Sequence, residues 1–122
     1  MSTIRPAALA DRLESNSKPF VLDIRPEASY DTGAIEGSHN VPVYNDLSNG
    51  EETSFRGRLD EIPADEDVVV VCKMGIVAKR ATKILQEEGY DAATLAGGMH
   101  GWNGYQNGSL SYKIRSLWWR VF

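Results

Sequence analysis

The chain has 122 residues, 42% of them apolar and 25% charged, a composition that suits one globular domain with a core of its own. A formal net charge of −4 argues against general nucleic-acid binding. One cysteine and two histidines, His39 and His100, exclude an internal disulfide and leave too few soft ligands for a zinc site.

A lone cysteine suits a reducing, cytoplasmic setting. The start, Met1 to Pro6, has no apolar stretch of the secretory-leader kind, so no leader is expected. The longest strongly apolar run, Val68 to Cys72, is far too short for a transmembrane segment. No repeat, low-complexity segment or linker divides the chain.

In chain order, Pro6 to Ser15 reads as a helix, with Pro6 at an early position and Ala7, Ala8, Leu9 and Leu13 available for one face. Ser15 to Pro19 is a turn. Phe20 to Ile24 is a short apolar strand that ends in Asp23-Ile24-Arg25. Pro26 opens a short helix through Tyr30, stopped near Gly33. His39 to Val43 reads as another short strand. Leu47 to Thr53 is polar and turn-rich, and Phe55 to Ile62 is a short helix ended by Pro63. Val68 to Val71 is four consecutive β-branched residues, the signature of a central strand buried on both faces. Ala78 to Glu88 places Ala78, Ala81, Ile84 and Leu85 at helical spacing before Gly89. Ala92 to Leu95 is one more strand, and Gly97-Gly98 turns into a short helix near Trp102. Alternating strands and helices imply an α/β fold, a central parallel sheet with helices on both faces. In such sheets ligands bind beyond the carboxyl ends of the strands, which is where Cys72 falls.

Cys72-Lys73-Met74-Gly75-Ile76-Val77-Ala78 joins that strand to a helix N-terminus. Backbone N–H groups of such a loop and the helix dipole favour anions, and Gly75 permits the turn. Lys73, Lys79 and Arg80 add positive field. A thiolate is the reactive form of cysteine, and this setting favours it. A small buried residue ending a core strand accounts for the same cysteine equally well on the pattern alone.

The sequence also resembles the rhodanese (Cdc25-like) family. Cys72-Lys73-Met74-Gly75 is similar to the start of the family's active-site loop, and Val21-Leu22-Asp23-Ile24-Arg25 to its first buried strand. The block from Tyr30 to Pro42 and the block from Leu95 to Trp102 match two further signatures in spacing and order. The resemblance implies a rhodanese-like fold with no cofactor, and a double displacement in which Cys72 takes sulfur from a donor, becomes a persulfide and passes it to a thiophilic acceptor. The donor would be thiosulfate, another small molecule or a protein persulfide, and the acceptor a thiol or a protein. The residues expected to bind substrate are Lys73, Met74, Gly75, Ile76, Val77, Ala78 and Arg25, with Asp23 and Trp102 in support.

Val77 and Ala78 depart from the family, which often has Arg or Ser and then Ser or Thr there; the loop loses a side-chain donor for an oxyanion. The family's His and acid are likewise replaced by Ala34 and Ser29. A phosphatase would need an arginine at the position of Ala78. The alternative is a non-catalytic protein-binding module, or a redox role for Cys72. His39 sits in a block that reads as a structural turn, and His100 near a pocket rim. Asn103 to Gly108 reads as a loop. Leu110, Ile114, Leu117, Trp118 and Val121 then recur at helical spacing among Lys113, Arg115 and Arg120. The expected division is a domain at 1–104 and an amphipathic extension at 105–122 packed on it. A monomer or homodimer is expected, with a partner or membrane surface as sharper uses of the tail.

Overall fold

A computed structural model describes residues 2–108. Five parallel strands form one sheet in the order β1-β5-β4-β2-β3. They are β1 Thr3–Ile4, β2 Phe20–Asp23, β3 His39–Asn40, β4 Val68–Val71 and β5 Ala92–Leu95. The helices are α1 Pro6–Leu13, α2 Glu27–Thr32, α3 Tyr44–Ser48, α4 Thr53–Arg56 and α5 Ala78–Glu87, and a last helix, α6, begins at residue 98. A 3-10 turn spans Leu59–Glu61.

The four valines of β4 form the centre of the sheet, hydrogen-bonded to β2 on one side and β5 on the other. Side chains alternate across a strand, so the run divides between two cores. Val68, Val70 and Cys72 join Leu22, Ile24, Phe55, Ile84 and Leu85 on the face covered by α3, α4 and α5. Val69 and Val71 join Leu9, Val21, Leu95, Met99 and Trp102 on the face covered by α1 and α6. A β-branched run serves both faces only because both are covered.

The α5 helix packs through Ala78, Ala81, Thr82, Ile84 and Leu85. Its one buried hydroxyl is satisfied: Thr82 Oγ1 reaches the Ala78 carbonyl at 3.0 Å and Thr94 Oγ1 at 2.7 Å. The chain runs from β2 to β3 in one direction along the sheet and from β4 to β5 in the other. The reversal falls between β2 and β4, and crevices open beyond the strand ends at such a point.

Three readings change. Residues 3–4 form an edge strand on β5, held by Thr94 N–H to the Ser2 carbonyl and Ala96 N–H to the Ile4 carbonyl. The segment from Tyr44 to Ile62 folds as two short helices and a 3-10 turn, not as a loop and one helix. Asn103 to Gly108 is helical, a largely exposed continuation of α6 past the buried Met99 and Trp102. The amphipathic pattern from Leu110 to Val121 lies outside the described residues.

At the β3 edge, Glu61 accepts from Arg58 Nε at 2.6 Å and pairs with His39 Nε2 at 3.0 Å. These contacts, Arg58 foremost, pull the Glu61 carboxyl down to about 2 from an ordinary 4.5. A depressed carboxyl contributes stability above its unfolded value and loses it as pH falls through its folded value. Glu61→Gln is therefore expected to melt lower than the native chain at neutral pH, with the gap narrowing as pH drops from 4.5 toward about 2. Thermal melts across that range check this; a gap independent of pH contradicts it.

Candidate active site

Cys72 follows the last residue of β4 and is 1% exposed. Its Sγ accepts from the backbone N–H of Gly75 at 3.1 Å and of Ala78 at 3.4 Å. Ala78 is the first residue of α5, so the helix end and the loop aim at one sulfur atom. Among the described residues, the N–H groups of Lys73, Met74, Ile76 and Val77 donate to no protein acceptor. The loop is thus a short arc of donors with sulfur at its base, a geometry that favours negative charge.

The loop is locked from behind by the turn into α6. Met99 N–H donates to the Cys72 carbonyl at 2.8 Å and His100 N–H to the Lys73 carbonyl at 3.0 Å. The first turn of a helix has free N–H groups, and here they satisfy the carbonyls that the strand end leaves over. Two glycines make the approach possible. Gly75 has φ +85°, and a β-carbon there would lie 3.0 Å from Gly97 N. Gly98 has φ +55°, and a β-carbon there would overlap the Cys72 carbonyl oxygen and come within 2.8 Å of Gly75 N.

Beyond β2, across the reversal point, Asp23 and Arg25 form a buried pair. Arg25 Nε lies 3.0 and 3.1 Å from the two carboxylate oxygens, and Nη2 lies 2.8 Å from Oδ2. Arg25 Nη2 also donates to the Gly33 carbonyl at 2.8 Å, and Arg25 N–H to Asp23 Oδ1 at 3.0 Å. Asn40 Nδ2 ties the carbonyls of Asp23 and Arg25 together, each at 2.9 Å. Charge and hydrogen bonds are both matched, which a buried pair requires. A depression of about 540 Å³ opens here. Arg25, Lys73 and His100 line it with Tyr44, Asn45 and Asn103.

A family model for the rhodanese-like domain matches residues 5–105. The chain belongs to the rhodanese-like domain family. It is 34% identical over 84 residues to the thiosulfate sulfurtransferase GlpE of Shewanella oneidensis, covering 68% of this chain and 74% of that protein. It is 32% identical over 102 residues to a probable adenylyltransferase/sulfurtransferase, MoeZ, of Mycobacterium tuberculosis. That match covers 83% of this chain but spans only 24% of the length of the relative. The crystal structure of a thiosulfate sulfurtransferase from Pseudomonas aeruginosa superposes with a TM-score of 0.70 at 25% identity, over 86% of this chain and 18% of that one.

Within this rhodanese-like domain, the residues singled out from sequence fall into two groups. Cys72, Lys73, Met74, Gly75, Ile76, Val77 and Ala78 form one continuous loop, and Arg25 reaches the same depression with Lys73. Met74 and Ile76 are 48% and 72% exposed, the exposed large apolar side chains among the described residues. The Val77 and Ala78 side chains turn to the core, so these two offer the site only backbone N–H groups. Asp23 holds Arg25, and Trp102 is buried in the opposite core, away from the sulfur. His39 pairs with Glu61 on the β3 edge, outside the depression.

Tyr44, Asn45 and Asn103 line the depression without having been singled out; nothing in their local sequence marks them. The locking role of Gly98 had a visible signal, the Gly97-Gly98 pair after a strand. Gly98→Ala combines a left-handed backbone with a clash, and is expected to cost about 2–4 kcal/mol by urea denaturation. A loss below about 0.5 kcal/mol, within the range of ordinary surface changes, would show that the loop does not need this lock.

Proposed function

We propose that the chain is a sulfurtransferase that carries sulfane sulfur as a persulfide on Cys72. The observation that carries this reading is the pair of N–H donors, from Gly75 and Ala78, converging on a cysteine sulfur at a strand end. The same donors suit the sulfur anion before loading and the persulfide after it.

The reaction is a double displacement. The Cys72 thiolate attacks the outer sulfur of the donor. A new S–S bond forms to Cys72 as the donor's own S–S bond breaks, and the leaving group departs with the electron pair, as sulfite from thiosulfate or as a thiolate from an organic persulfide. An acceptor nucleophile then attacks the outer sulfur of Cys72–S–S⁻, and the thiolate returns. Splitting one transfer into two steps is covalent catalysis. The chain's own residues serve it through the loop's backbone donors and the Lys73 cation. Lys73 and Arg25 border the depression, and the N–H groups of residues 73, 74, 76 and 77 have no protein acceptor among the described residues.

The donor we favour is a persulfide on another protein or organic molecule. Val77 and Ala78 offer no side-chain donor to the oxygens of thiosulfate, whereas Met74 and Ile76 present exposed apolar surface on the loop. Cationic and apolar groups together fit a larger donor better than a small dianion. A phosphatase reading has no support, since Ala78 leaves the loop without a cation at that position.

Incubation with an organic persulfide, followed by intact-mass measurement, is expected to show a gain of one sulfur atom that Cys72→Ala abolishes. Thiosulfate should load more slowly. Absence of any gain from either donor defeats the enzymatic reading. Met74→Ser with Ile76→Ser is expected to lower kcat/KM for a protein persulfide donor about 10-fold, the scale of one or two lost apolar contacts, with thiosulfate loading little changed. An equal effect on both donors would contradict the docking role.

A further inference from the structure

The charges on α5 run against its own stability. A helix is partially positive where it begins and partially negative where it stops, so acids suit the first turn and bases the last. α5 has no acid in its first turn and no base in its last. Lys79 and Arg80 occupy the first turn, and Glu87 closes the helix. Lys79 and Lys83 also stand four residues apart, both exposed, where like charges repel. Glu87 and Glu88 pair with Arg56, at 3.3 and 2.7 Å.

The cations at the start of α5 are also left without counter-charges. Arg12, Arg25, Arg56 and Arg58 pair with carboxylates at 2.6–3.3 Å. Lys73, Lys79, Arg80 and Lys83 pair with none among the described residues, and all four are exposed. In a chain of net charge −4 this is a local surplus of positive charge. It adjoins the loop of Cys72. Ala78, the residue before Lys79, donates its N–H to Sγ at 3.4 Å, and Lys79 N–H donates to the Ile76 carbonyl at 3.2 Å. Met74 and Ile76 stand exposed on that loop. Charge set against the helix dipole costs the fold, and its gain is attraction for an anion.

We propose that Lys73, Lys79 and Lys83, together with the exposed Met74 and Ile76, form the docking surface for an acidic protein segment that presents a cysteine persulfide to Cys72. This rests on the sulfurtransferase reading above and adds the chemistry of the donor's carrier. Carboxylates meet the lysines, and an apolar side chain meets Met74 and Ile76. A small dianion needs cations only near the sulfur. Here they continue to Lys83, more than one helical turn beyond Ala78, which matches an extended partner. The sulfur passes as before. The Cys72 thiolate takes the outer sulfur of the partner's persulfide, and the partner leaves as a thiolate with the electron pair of the broken S–S bond.

The test uses the full chain and three synthetic peptide persulfides, each with one cysteine persulfide beside a leucine, flanked by glutamates, glutamines or lysines. Loading of Cys72 is followed by intact mass. The acidic peptide is expected to load about 10-fold faster than the neutral one at low salt, with the basic one slowest and the gaps closing at high salt. Lys79→Glu is expected to cut the acidic-to-neutral ratio about 3-fold. The same variant should melt higher than the native chain, because it puts an acid in the first turn of α5, four residues before Lys83. Equal loading of the acidic and neutral peptides overturns the proposal and leaves the sulfurtransferase reading standing, whereas loading by none of the three defeats both. If Lys79→Glu slows the two peptides alike, the charge acts on the Cys72 thiolate and the docking role is overturned. Polyuridylate that blocks loading of the neutral peptide assigns the patch to a nucleic acid and equally overturns it.

Discussion

The site depends on two hydrogen bonds made across the top of the sheet. Met99 and His100, at the start of α6, donate their backbone N–H groups to the carbonyls of Cys72 and Lys73 at 2.8 and 3.0 Å. A strand that ends in a loop leaves such carbonyls without partners, and a helix that begins leaves N–H groups without partners. Each segment completes the other. With the carbonyls of residues 72 and 73 turned back toward α6, the N–H groups of Gly75 and Ala78 face the sulfur. The contact is backbone against backbone, so it tolerates no β-carbon at Gly98.

The rest of the fold brings charge to that point. The order β1-β5-β4-β2-β3 reverses between β4 and β2, and both strands end beside the candidate site. β4 delivers Cys72 and Lys73, while β2 delivers Asp23 and Arg25. Asp23 fixes the guanidinium through three contacts of 2.8–3.1 Å, and Asn40 pins the backbone on either side of it. A guanidinium held this way is neutralised by its carboxylate and keeps one orientation at the edge of the depression. The Asp23–Arg25 pair is thus matched, while the exposed large apolar side chains among the described residues, Met74 and Ile76, sit on the loop itself.

Much of this was legible in the residues. Four valines in a row are hard to place anywhere but the middle of a covered sheet, and α5 carries a clear apolar stripe. The position of Cys72 between those two elements follows directly. The elements that were missed lack any such local pattern. Residues 3–4 become a strand only because β5 offers an unpaired edge. Tyr44–Ser48 is helical despite its polar sequence, with Leu47 buried and its carbonyl bound by Arg80 Nη1 at 3.1 Å. Asn103 to Gly108 looks like a loop by composition, yet follows the helix begun under the loop of Cys72. In the first two cases a partner distant in sequence decides the local conformation. The same holds for Tyr44, Asn45 and Asn103 in the depression, which only the fold brings beside Lys73 and Arg25.

The central claim is that backbone N–H groups of this loop hold a sulfur anion, first on Cys72 and then on its persulfide. The amide proton resonances of Gly75 and Ala78 report this directly, because loading changes the anion to which these charge-assisted hydrogen bonds are made, from thiolate to persulfide. Following them by NMR as the protein is loaded with an organic persulfide and then discharged to a thiol should show both shifting reversibly, and neither shifting in Cys72→Ala. Loading of Cys72 that leaves both resonances in place would contradict the account, since the sulfur would then be carried without the donors that the loop provides.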